Sequence, residues 1–240
     1  KTGLLVDAGG GSGILSQLEK ASIPLEDIRF LFLTHKHMDH VLGVFWILRF
    51  LGSKIAKGQA EGLTIFASEK VIGVIRNVSS IFLKEKITSL YDGEIKFHSI
   101  DTEEDFSIGE WTIKPFSLQS KKEEQFGFRL TCSDGVSVVC LGDEPYKDAL
   151  FEQCKNADYF IHDAFCLEQD RERFNPHDIH HATVMDAAKA ASKTGAKNLV
   201  LVHTEDKVTF GKRKELYAQE AKSYFGGTVV VPDDLEVVVI

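Results

Sequence analysis

The chain has 240 residues, a net charge of −8, 43% hydrophobic residues and 27% charged residues. This is globular composition, which excludes collagen-like and disordered classes and suffices to bury a large core. The negative charge argues against a tight, non-specific grip on a phosphate backbone, though a local basic cleft could survive it; a small-molecule substrate is expected and a nucleic acid is not. No apolar run reaches the roughly 18–20 residues of a membrane helix. The longest, 41–51, is interrupted by Gly43 and Arg49. There is no signal-peptide pattern at the start. The four cysteines lack C-x-x-C spacing and read as reduced thiols, so a cytoplasmic location is expected.

A first strand is expected at 4–6 and a helix at 14–21. Strand 28–33 leads into helix 41–51, and strand 63–66 into helix 70–77. Strands follow at 95–100, 111–116, 126–131 and 136–141, with Ser133-Asp134-Gly135 as a hairpin turn. Helix 146–154, strand 159–161, helix 184–194 and strand 199–202 come next, with Thr183 as N-cap and Gly195 as stop. Helix 212–225 and strands 229–231 and 237–239 end the chain. Alternating strands and helices with intruding hairpins predict mixed sheets with outer helices. No linker or low-complexity stretch interrupts them, so one domain over 1–240 is expected.

The densest chemistry is Thr34-His35-Lys36-His37-Met38-Asp39-His40, between a strand and a helix. Alternate residues of an extended segment point the same way, so His35 and His37 can approach one metal together. Asp39 and His40 then swing toward a neighbouring position as the helix begins. Imidazole and carboxylate suit zinc, and also iron or manganese. Other polar residues cap apolar strands: Asp143 after 136–141, His162-Asp163 after 159–161, and His203 after 199–202. Ligands gathered at strand ends are what a site on a rigid sheet requires.

These segments, with Leu5-Val6-Asp7-Ala8-Gly9, Gly142-Asp143, His181-Ala182-Thr183 and Leu201-Val202-His203, resemble the metallo-β-lactamase fold superfamily on its ribonuclease Z-like side. The resemblance runs from Leu4 to the end of the chain. It implies an α/β (α+β) fold, a four-layer αββα sandwich of two mixed sheets with outer helices. It also implies two divalent ions: His35 and His37 on the first, Asp39, His40 and His203 on the second, Asp143 on both. All six are then expected in one cleft. Asp39, Asp163 and His181 would be catalytic, the last two protonating the leaving oxygen. Asp7 would steady the ligand loop from behind. Family members carry strands before the Asp7 segment, while Lys1-Thr2-Gly3 runs almost at once into a strand, so an incomplete first sheet is expected.

The family usually adds one more His to the first metal. No His lies between His98 and His162, and Gln119 stands at the equivalent place before Gln125-Phe126-Gly127-Phe128. A neutral amide is a weaker ligand than imidazole, so a weak first site is expected. The expected function is a hydrolase acting on a phosphodiester, ester or lactone-like centre through metal-bound hydroxide. A tRNA 3′-processing endonuclease and a non-catalytic metal-binding sensor are the alternatives. The family's long basic tRNA-gripping arm has no counterpart between Asp143 and His203. A homodimer is compatible with the sequence.

Overall fold

The apolar runs before residue 104 become a four-stranded sheet. In the computed structural model, which describes residues 3–239, the chain forms two compact units, one up to Glu104 and one from Asp105 onward. In the first, β1 (Leu4–Val6), α1 (Gly13–Lys20), β2 (Phe30–Phe32), α2 (Met38–Ile55), β3 (Leu63–Ala67), α3 (Glu69–Phe82), α4 (Glu85–Thr88) and β4 (Ile95–Ser99) follow in order. The sheet order is β1-β2-β3-β4, all parallel, and the intervening helices supply the crossovers that parallel pairing needs. Lys1-Thr2, where the sequence is expected to enter a sheet, lies outside the described residues.

Helix α2 runs past both expected ends. Its stripe Val41, Val44, Ile47, Leu48, Leu51 and Ile55 keeps helical spacing and packs with Leu31, Leu33, Leu63, Ile65 and Ile95. Each such side chain contributes roughly 1.5–3 kcal/mol by leaving water. Helix α3 is likewise longer than 70–77, because Ser68 caps it by accepting the Val71 N–H and apolar residues continue to Phe82.

Gly43 sets how closely α2 approaches the β1 end. A Cβ there would lie 1.8 Å from the Ala8 carbonyl oxygen. The bare backbone instead lets Gly43 N–H donate to Gly9 O at 2.9 Å and Ala8 N–H to His40 O at 2.8 Å. Gly43→Ala is therefore expected to destabilise by about 3 kcal/mol or more. Gly73→Ala, inside α3 with nothing within 4 Å, is expected to stabilise by about 0.5–1 kcal/mol. Denaturant titration of the two variants checks the contrast.

The second unit holds β5 (Phe106–Ile108), β6 (Trp111–Ser117), β7 (Phe126–Thr131), β8 (Ser137–Cys140), α5 (Phe151–Cys154), β9 (Tyr159–Asp163), α6 (Arg171–Phe174), α7 (Val184–Thr194), β10 (Asn198–Val202), α8 (Arg213–Lys222) and β11 (Thr228–Val230). Its sheet runs β11-β10-β9-β8-β7-β6-β5. Strands β5 to β8 form an antiparallel meander, and β8 to β11 are parallel. The core sets Phe116, Val139, Phe160, Leu199 and Leu201 against Val184, Ala187, Ala191 and Tyr217.

The hairpin at Ser133-Asp134-Gly135 forms as expected, with the Asp134 carboxylate accepting Val136 N–H. Helix α7 begins in a capping box between Thr183 and Asp186 and stops at Gly195 in the left-handed conformation. Three expectations need correction. Residues 237–239 form no strand: they join no ladder among the described residues, and Val237 and Val239 are exposed. The short edge strand β5 was not expected. Helix 146–154 shrinks to a 3-10 turn at Asp148–Leu150 and one turn of α5. Its first residues are engaged elsewhere: Tyr146 N–H donates to His162, and the Lys147 ammonium reaches Leu118 and Gln119. Among the described residues, no helix is long and apolar enough to cross a membrane.

Candidate metal centre

Both units carry imidazole–carboxylate sets at strand ends. In the first, the chain leaves β2 extended through Thr34 to His37, and His37 is the N-cap of α2. His35 is fully buried and His40 nearly so, whereas the Asp39 carboxylate is largely exposed. His35 Nε2 lies 2.8 Å from His37 Nδ1, and the His35 and His40 ring centroids are 4.2 Å apart. Asp39 Oδ2 is 3.4 Å from His40 Nε2. Three imidazoles and a carboxylate thus crowd the start of one helix, a nitrogen-and-oxygen donor set that suits a zinc-type ion.

Asp7 holds this loop from β1. Its Oδ1 accepts Thr34 N–H at 2.9 Å, and its Oδ2 accepts the Thr34 hydroxyl at 2.9 Å and lies 2.8 Å from His40 Nδ1. The Thr34 hydroxyl also meets His35 Nδ1 at 2.9 Å. A hydroxyl has one proton, and an ionised carboxylate only accepts. The Thr34 proton therefore goes to Asp7, and His35 Nδ1–H donates to the hydroxyl. His40 Nδ1–H donates to Asp7 by the same logic. Both rings are left with an unprotonated Nε2, the form in which an imidazole can bind a metal. Thr34 was not singled out in the sequence, although its place before His35 was visible.

In the second unit, Asp143 is buried after β8, with Oδ2 3.3 Å from His203 Nε2. His203 follows β10 with a φ of 55°, and Asp163 ends β9. The Asp163 carboxylate is fully buried. Its Oδ2 accepts Ala182 N–H at 2.7 Å and lies 3.3 Å from His181 Nδ1; its Oδ1 is 3.6 Å from His203 Nδ1. The His181 and His203 rings stack at 5.0 Å and 10°, and Phe165 stacks on His181 at 5.2 Å. Asp163, His181 and His203 each offer a ligand atom within 4.8 Å of the others. Phe165, directly after His162-Asp163-Ala164, was not anticipated; only that position signals it.

His162 itself is structural. Tyr146 N–H donates to its Nε2 at 3.2 Å, and its Nδ1 lies 2.6 Å from the Asp163 carbonyl. Burial pushes its pKa below the ordinary histidine value, against an opposing pull from that carbonyl, so the ring serves as a neutral lock on the end of β9. His177 pairs with Asp186 at 2.7 Å, and His98 packs on Phe66. Gln119 is exposed in a left-handed conformation, with its carbonyl accepting the Lys147 ammonium at 2.8 Å. That ammonium also bonds Leu118 O at 2.9 Å and Glu144 Oε1 at 2.6 Å, pinning the Gln119 loop to the segment after Asp143. Nothing in the sequence separates Lys147 from a solvated lysine.

Known proteins agree with this picture. A family model described as "Beta-lactamase superfamily domain" matches residues 2–204. A ribonuclease Z of Bacillus velezensis is 24% identical, over 95% of this chain and 87% of its own length. A ribonuclease Z of Ignicoccus hospitalis is 25% identical, over 99% and 89%. Among solved structures, the metallo-beta-lactamase fold protein YhfI of Bacillus subtilis superimposes with a TM-score of 0.73 at 23% identity, over 96% and 85% of the two chains. The short form of human tRNase Z gives 0.72 at 22% identity, over 99% and 88%. These relatives overturn the expectation of a small-molecule substrate in place of a nucleic acid, since the sequence relatives are ribonucleases. Net charge does not decide the point, because −8 is a sum over the whole chain and does not report the field at any one surface. With the motif order, the fold and a family match across most of the chain all in agreement, the chain belongs to the beta-lactamase superfamily as a hydrolase of ribonuclease Z-like type.

Proposed function

We propose that this chain is a metal-dependent phosphodiesterase that cleaves RNA in the manner of 3′ processing of tRNA precursors. In the first unit, His35, His37, Asp39 and His40 serve as metal ligands; in the second, Asp143 and His203 do. The ions are two divalent cations, zinc first among those suited to imidazole with carboxylate. When bound, such ions supply Lewis acidity that activates water near neutral pH and offsets charge on the phosphate. The observation that carries the reading is the tautomer set by Asp7 and Thr34, which leaves Nε2 of His35 and His40 as donors. His181 turns Nδ1 to Asp163 and so keeps Nε2 to deliver a proton to the leaving oxygen. The four free cysteines, with burial pushing Cys154 and Cys166 up to about 12, support a reducing, cytoplasmic setting.

The test is cleavage of a tRNA precursor carrying a 3′ trailer, beside a bis-aryl phosphodiester, with metal content measured on the same preparation. Release of the trailer that stops on chelation and returns with zinc is expected. An intact trailer with a hydrolysed aryl ester would remove RNA from the reading. Gln119 enters as a weakened ligand position for the first ion. Gln119→His is expected to tighten zinc binding up to about tenfold, since a lost ligand or its support costs on that order. Calorimetric zinc titration of both proteins reads this without turnover, and equal affinities would take Gln119 out of the ligand position.

A further inference from the structure

One groove of the first unit differs from the rest of this acidic chain. Arg49, Phe50, Phe82, Lys84 and Lys86 lie along it, and its lining holds three cations and no acid. Phe82 is 74% exposed and Phe50 44% exposed. Trp46 and Phe50, one helical turn apart on α2, stack at 6.3 Å and 16°. The Arg49 guanidinium caps both rings, 5.9 Å from Trp46 and 5.7 Å from Phe50. None of the three cations forms an ion pair among the described residues. Exposed rings leave apolar surface in water, and here the rings are held on the surface rather than packed into the core of the unit.

The geometry points to a docking groove for single-stranded RNA, an inference that rests on the proposed RNA substrate. Rings interleaved with unpaired cations are what such a strand needs: stacking for bases, charge for phosphates. Charge selects this occupant over a second copy, because two copies would oppose like cations across a self-complementary face. The groove also stands on the helix that begins with the His37–His40 segment. Arg49 follows His40 by about 14 Å along the α2 axis at the helical rise, a reach of a few nucleotides. Glu85 is the nearest acid in sequence and is not part of the lining.

Fluorescence anisotropy with a labelled phosphorothioate RNA oligonucleotide tests the groove apart from turnover. Phe82→Ala is expected to weaken binding about tenfold through lost stacking. Removing Lys84 and Lys86 together as alanines is expected to flatten the slope of log affinity against log salt by about 1.4, at about 0.7 per single-strand phosphate contact. All three side chains are exposed, so melting and aryl phosphodiester turnover should match the wild type. Variants that bind RNA like the wild type overturn the inference. So does a groove whose substitution changes only self-association in sedimentation, or only binding to phosphatidylserine vesicles, with RNA affinity unmoved. Loss of RNA affinity in the variants upholds the groove even if the wild type cleaves no phosphodiester, a result that would count against the proposed activity alone.

Discussion

Substituting Asp163 with asparagine is expected to lower phosphodiester turnover about 10²–10⁴-fold, the usual span for a positioned proton donor, while leaving the melting temperature near that of the wild type. The two effects separate because the carboxylate does two jobs. As an acceptor, Oδ2 takes the Ala182 N–H at 2.7 Å, and an amide oxygen can keep that bond. As a charge, the group sits 3.3 Å from His181 Nδ1 and 3.6 Å from His203 Nδ1, and asparagine removes this. A fully buried carboxylate holding an imidazole by one nitrogen fixes which nitrogen carries the mobile proton. The measurement is kcat against pH for both proteins, with thermal melts on the same samples. Wild-type turnover in the variant would take Asp163 and His181 out of proton delivery.

What the sequence disclosed was whatever is encoded locally. The segment from Thr34 to His40 declared itself because its donors are contiguous, and Asp143, Asp163 and His203 because each ends an apolar strand. The capping box at Thr183 and the stop at Gly195 are local as well. What stayed hidden depends on distant partners. Lys147 looks like any surface lysine until its ammonium is found on two carbonyls 28 and 29 residues away. The same engagement, with Tyr146 on His162, dissolves the first turn of an expected helix. Residues 237–239 have ideal β composition but no ladder among the described strands, and strand propensity does not act without one. The groove holding Arg49, Lys84 and Lys86 is hidden in the same way: the total charge that argues against RNA is a sum over the chain and does not show it.

Asp7→Ala is expected to weaken zinc binding about 10–100-fold, the usual cost of removing a group that supports metal ligands. Asp7 touches no substrate in the proposed reading; it is a positioning residue. Its carboxylate sets the proton order of the loop, from His40 Nδ1 on one side to Thr34 and then His35 on the other. Without it, the Thr34 hydroxyl is free to donate to His35 Nδ1, which would place the proton on Nε2 and block that nitrogen as a ligand. The Thr34 N–H would also lose its acceptor in a buried setting, at about 1–3 kcal/mol. Backbone adds to this, because Asp7 has a φ of 55°, which asparagine tolerates and alanine does not. Asp7→Asn therefore separates the causes: it keeps the backbone and one acceptor oxygen but loses the charge. Zinc affinity by calorimetry should fall in the order wild type, asparagine, alanine, and stability by denaturant should fall mainly in alanine. Unchanged zinc affinity in both variants would show that the loop holds its tautomers without Asp7.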